Sequence, residues 1–156
     1  MQTLFFFCFE RMTEHEFIKT CTDICDKFYK FIDETFTDSE QKQHSLRLLE
    51  DTRDSIVSNL NRFVALAKQI KEKNTVLNKD NISTVLYEVR TSIQSIINSL
   101  SVFELRFEKI GQSIQDGNSD NDYDEIDVSN DIYDLNFDVE RLANCLNRLQ
   151  KDIENQ

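Results

Sequence analysis

Apolar residues recur along the second half of the chain in alternating steps of four and three, through Ile82, Leu86, Val89, Ile93, Ile96, Leu100, Phe103, Phe107, Ile110 and Ile114. A repeat averaging about 3.5 residues keeps one stripe of an α-helix turned toward a partner along its whole length, so it predicts a long packed helix and not a catalytic cleft. The same alternation precedes it at Leu46, Leu49, Arg53, Ile56, Leu60, Phe63, Ala67, Ile70, Asn74 and Leu77. Arg53 and Asn74 are polar stops on that stripe, at positions where a buried polar group lowers stability but can fix register and partner number. Only Asn78, Lys79, Asp80 and Asn81 separate the two repeats. So short a connection between helices of roughly 32 residues, each about 48 Å long, predicts antiparallel neighbours, with Asp80 or Asn81 as the cap of the second.

A third repeat closes the chain at Ile132, Leu135, Val139, Leu142, Leu146, Leu149 and Ile153, with Ser129 as its predicted cap. A broader stripe opens it at Phe17, Cys21, Ile24, Phe28 and Phe31, flanked by Ile18, Cys25 and Ile32, as suits a helix packed against two neighbours. Residues 37 to 40, Thr-Asp-Ser-Glu, separate this stripe from the next and offer Asp38 or Ser39 as a cap. The pattern predicts helices near residues 13–36, 39–77, 80–115 and 129–154. The fold expected is all-α: an elongated antiparallel hairpin or coiled coil of the two central helices, extended to a four-helix arrangement.

Domain organisation follows. Residues 1–12 read as a disordered N-terminal extension ahead of a helical domain at 13–115 built on the long hairpin (39–77, 80–115). Residues 116–128 read as an acidic flexible linker, and 129–156 as a C-terminal heptad helix. The apolar run Leu4 to Phe9 is too short for a signal-peptide core or a membrane span; its phenylalanines suit either an extension upstream of Met12 or insertion into a partner groove. With no proline, two glycines and 39 % hydrophobic residues, the chain has enough apolar content for an elongated bundle but little for a compact globule. Leu48, Leu66, Val76, Val102 and Leu105 lie off the main stripes and are expected to meet the end helices or another protein.

Charge narrows the choice of partner. The net charge is −11, carried as nine acids and four bases over residues 1–41, eight and eleven over 42–115, and twelve and three over 116–156. An acidic chain is repelled by phosphate backbones and anionic headgroups, which disfavours direct nucleic-acid or membrane-surface binding. The basic cluster Lys68, Lys71, Lys73 and Lys79 around the central turn reads as a solvated helix end whose cations complement the C-terminal dipole. The run from Gln115 to Ser129 is rich in side-chain oxygens, yet none of its aspartates has a glycine at the sixth position of an EF-hand loop. Ser119, followed by Asp120 and Asp122, is a candidate for an acid-directed kinase.

The chemistry of catalysis is missing. Cys8, Cys21, Cys25 and Cys145 form no disulfide framework or Cys-x-x-Cys hook, and Cys21 and Cys25, one helical turn apart, read as core hydrophobes and not as metal ligands. His15 and His44 have no spacing to a nucleophile, and no Glu-x-x-His pair, phosphate-binding glycine loop, GxSxG or HExxH is present. No catalytic, cofactor or metal site is expected. The leading reading is a non-catalytic subunit or adaptor that joins other helical proteins in an intracellular, cytoplasmic hetero-oligomer through its coiled-coil stripes. Its architecture is that of small helical subunits in organelle-biogenesis, vesicle-tethering, kinetochore or transcription-adaptor complexes. The alternative is a self-contained four-helix bundle that binds one protein ligand through a surface groove.

Overall fold

The computed structural model describes residues 13–73, 79–115 and 125–155. The expectations placed on residues 1–12, Asn74, Val76, Leu77, Ser119 and the oxygen-rich run at 116–124 fall outside the described residues, as do the side chains of Phe107, Ile110 and Ile114. The fold is all-α, a four-helix arrangement of α1 (Glu14–Thr35), α2 (Glu40–Glu72), α3 (Lys79–Gln115) and α4 (Glu125–Glu154).

Local chemistry sets the helix starts. Thr13 caps α1 in a reciprocal box: its hydroxyl accepts from the Glu16 N–H at 3.1 Å, and the Glu16 carboxylate accepts from the Thr13 N–H at 3.4 Å. Ser39, one of the two caps read from the sequence, accepts from the Lys42 N–H at 3.1 Å and begins α2. Two other caps differ from expectation. Helix α3 begins at Lys79, so Asp80 and Asn81 already lie in its first turn. Helix α4 begins at Glu125, one turn before Ser129, and takes in the last residues of the expected linker. Asp127 lies in its first turn, where a carboxylate complements the N-terminal dipole, and Val128, 1 % exposed, starts the apolar stripe one step early.

Polar pairs between helices define direction. Asp26 meets Arg53 and Asp33 meets Lys42, so α1 and α2 are antiparallel. Ser99 meets Asp138 and Arg106 meets Asp131, so α3 and α4 are antiparallel as well. Ser45 meets Ser129 and Thr52 meets Asn136, each pair 84 residues apart, which makes α2 and α4 parallel. The two central helices therefore run antiparallel, as their short connection requires. They are not adjacent, however. Helix α1 packs on α2 and α3, α4 packs on the same two, and α2 and α3 face each other across the diagonal. The expectation of a two-stranded seam between neighbours is corrected on this point. Each central stripe is wide enough to bury itself against both end helices, and four stripes turned inward remove more apolar surface from water than two.

The core runs the length of the bundle. On α1, Cys25 and Ile32 are buried with Phe17, Cys21, Ile24 and Phe28, while Phe31, expected on the main stripe, packs at its edge. Phe28 stacks on Phe103 of α3 with centroids 4.1 Å apart, tying the two parallel helices together. At mid-core, Ile96 is 1 % exposed. Ile96→Asp would place an unpaired carboxylate there and is expected to cost several kcal/mol and abolish cooperative thermal unfolding by circular dichroism. Ser101→Asp, on the exposed side of the same helix, should leave the melt unchanged.

Candidate interaction surfaces

Nearly all described members of the three long stripes lie inside the chain's own core. Leu46, Leu49, Ile56, Leu60 and Phe63 of α2 are buried with Ile82, Val89, Ile93, Ile96, Leu100 and Phe103 of α3. Ile132, Leu135, Val139, Leu142, Leu146, Leu149 and Ile153 of α4 join them, and Ile70 and Leu86 pack against the edge. Arg53, read as a polar stop, lies at the α1–α2 boundary instead. Its guanidinium donates to both Asp26 carboxylate oxygens, at 2.7 and 3.3 Å, and this hydrogen bonding to Asp26 raises its pKa further. A register-fixing partner for this residue is thus supplied within the chain.

The edges of the stripes carry polar pairs that hold α4 in place. On the α2 side, the Ser45 and Ser129 hydroxyls are 2.9 Å apart and buried, Gln41 donates to Ser129 at 3.3 Å, and His44 and Tyr133 are hydrogen-bonded at 2.9 Å. On the α3 side, Ser99 donates to Asp138 at 2.9 Å and Arg106 pairs with Asp131 at 2.8 Å. Ser129, expected to cap α4, instead serves this interface.

Lys42 escaped the sequence reading. It lies seven residues before Leu49, hence on the α2 stripe, and is 7 % exposed. Its ammonium donates to the carbonyls of Asp33 at 2.8 Å and Phe36 at 2.9 Å, and lies 3.7 Å from the Asp33 carboxylate. Spacing alone could have flagged it.

Cys21, Cys25 and Cys145 are buried free thiols. Burial, with the neighbouring Cys25, pushes the Cys21 thiol up to about 12; burial, with the Asp26 carboxylate, does the same at Cys25. No group of three potential metal ligands occurs among the described residues, and none of the helices searched there is long and apolar enough to cross a membrane.

The outer faces of the described helices carry further apolar bulk. Tyr87 is 68 % exposed, Leu105 56 % and Phe137 60 %, with Val102 and Tyr133 also exposed. Leu66, by contrast, is buried and Leu48 is partly so, which answers two of the off-stripe residues from within the chain. A crevice of about 360 Å³ opens between α3 and α4, with Glu88, Thr91 and Ser92 on one wall and Arg141, Asn144 and Arg148 on the other. The larger crevice between α1 and α2, about 510 Å³, is lined by Asp26, Glu50 and Asp54 around the already paired Arg53. No protein-family model, curated protein or solved structure matches the chain.

Lys42→Met keeps the stem but removes the ammonium, leaving two carbonyls short of a donor; the expected loss is about 1–3 kcal/mol, read as a lower Tm. Lys19→Met, on the exposed face of α1, serves as the control. The two α1 thiols set a pH dependence. Their ordinary pKa is 9.0 and their folded value about 12, so both states hold the protons below pH 9. Between these values the unfolded chain releases them first, and stability falls as pH rises. The Tm of the Cys21→Ala/Cys25→Ala variant should therefore drop less than that of the parent between pH 8 and pH 11; equal drops would acquit the thiols.

Proposed function

We propose that the chain is a non-catalytic, self-contained helical bundle that acts by binding another protein through its outer faces. One observation carries this reading: nearly all described members of the apolar stripes pack on one another inside the chain, while Tyr87, Leu105 and Phe137 stand more than half exposed on the outside. Large exposed apolar side chains in excess of what solubility favours mark protein-interaction surfaces. The three buried thiols support a reducing, intracellular setting. Assembly as a coiled-coil subunit of a larger complex is the second reading, favoured by the same exposed residues, which an added helix would cover.

Light scattering after size exclusion tests the choice. The purified chain should run as an 18.4 kDa monomer with a single cooperative melt, whereas an obligate oligomer would overturn the self-contained bundle. Affinity purification from the native cell should recover a protein with the parent chain and lose it with Leu105→Asp/Phe137→Asp, both substitutions being on solvent-facing residues.

A further inference from the structure

Helix α3 carries a second repeat, on the side turned away from the core. Tyr87, Thr91, Gln94, Asn98, Ser101 and Leu105 follow one another in steps of four and three, and all six are exposed, Tyr87 by 68 % and Leu105 by 56 %. That spacing is the one a coiled-coil seam requires. The stripe also lies in the longest run of the chain without an acidic, basic or histidine side chain, residues 91–103, in a sequence of which 30 % is charged. Charged residues are depleted where one protein surface meets another. A chain of net charge −11 meets a second copy with least repulsion on a face that carries no charge.

The stripe reads alike in both directions. About its midpoint at residue 96, Tyr87 mirrors Leu105, Thr91 mirrors Ser101 and Gln94 mirrors Asn98. Each mirrored pair is of one kind: large apolar groups at the ends, hydroxyls next, amides in the middle. Antiparallel pairing of α3 with itself about a two-fold axis sets every residue opposite its mirror mate, so like chemistry meets like in each layer. Charge favours this direction over the parallel one. Arg90 and Glu104, two heptads apart and so on one flank of the stripe, are brought to the same level with unlike signs. The aspartate-rich run at 116–124 that follows α3 falls at opposite ends of the pair, whereas parallel helices would bring the two runs together.

We propose that a second copy of the chain docks on this face, α3 against α3 in antiparallel sense, to form a weak two-fold dimer. The dimer goes beyond the partner-binding reading and does not depend on it. Tyr87 of each copy packs on Leu105 of the other. In the middle, Gln94 Nε2 donates to Asn98 Oδ1 at 3.1 Å within one helix, which leaves Gln94 Oε1 to accept and Asn98 Nδ2 to donate. The two-fold axis sets each Asn98 against the second copy's Gln94 and closes a ring of four side-chain amides, a polar centre that fixes register at a cost in affinity. From Tyr87 to Leu105 the strip is about 27 Å long and about 10 Å wide, smaller than the roughly 800 Å² per partner of a stable interface. The chain therefore stays the monomer expected of a dilute size-exclusion peak and pairs only when concentrated.

Sedimentation equilibrium of the full chain, from about 10 μM to about 1 mM, should show the mass rising from 18.4 kDa toward twice that value. Tyr87→Lys and Leu105→Asp should each weaken association about tenfold or more. An equimolar mixture of the two variants should regain it, because the antiparallel register sets the introduced lysine opposite the introduced aspartate. Phe137→Asp, on α4 and outside the stripe, should associate like the parent. All three substitutions are at exposed positions, and unchanged circular dichroism and Tm in dilute solution establish that the variants fold. A chain that stays monomeric at about 1 mM overturns the proposal. So does a dimer that survives both stripe variants, one lost with Phe137→Asp instead, or a mixture that associates no better than its components. The partner-binding reading is decided separately, by purification from the native cell.

Discussion

Ser45 can meet Ser129 and Thr52 meet Asn136 at the same time only if α4 lies parallel to α2, and that constraint arranges the rest of the bundle. Once α4 is set beside α2, its opposite edge meets α3 through Ser99–Asp138 and Arg106–Asp131, and α3 must run the other way. Helix α1, antiparallel to α2 across a four-residue loop, then closes the remaining side and stacks Phe28 on Phe103. The apolar stripes supply the driving force, which is non-directional; the edge pairs choose among the ways of assembling four such stripes.

The division between legible and illegible features follows the same line. The helices and most core positions could be read because a 3.5-residue period is a property of each segment alone. Neighbour order could not, since a stripe does not state which of three others covers it, and a short loop fixes antiparallel direction without fixing adjacency. Arg53 illustrates the cost of reading a stripe in isolation: its partner, Asp26, lies 27 residues upstream on another helix. Ser129 misled in the other direction, because a hydroxyl that suits a helix cap suits a close helix contact equally well. The outer surface was the least legible, since exposure of Phe137 or Leu105 depends on where the neighbouring helices lie.

The residues that stabilise the bundle are consequently separated in space from those that face solvent. The residues that hold the bundle together point inward or lie at the edges between helices, whereas Tyr87, Leu105, Arg141 and Phe137 are exposed. Such an arrangement lets the outward residues change identity at little cost to folding, because surface positions away from caps and core have small effects on stability.

The buried Lys42 links the first two helices through electrostatics. Helix α1 has acids in its first turn but no basic residue in its last, so the negative pole at its C-terminus lacks a cation of its own. Lys42 supplies that charge from the first turns of α2, reaching back across the loop to the Asp33 and Phe36 carbonyls. Neither partner is complete alone: α1 by itself has an uncompensated terminus, and α2 by itself carries a cation on its apolar stripe. The one loop contact removes both defects together, which ties the stability of each of the first two helices to the presence of the other.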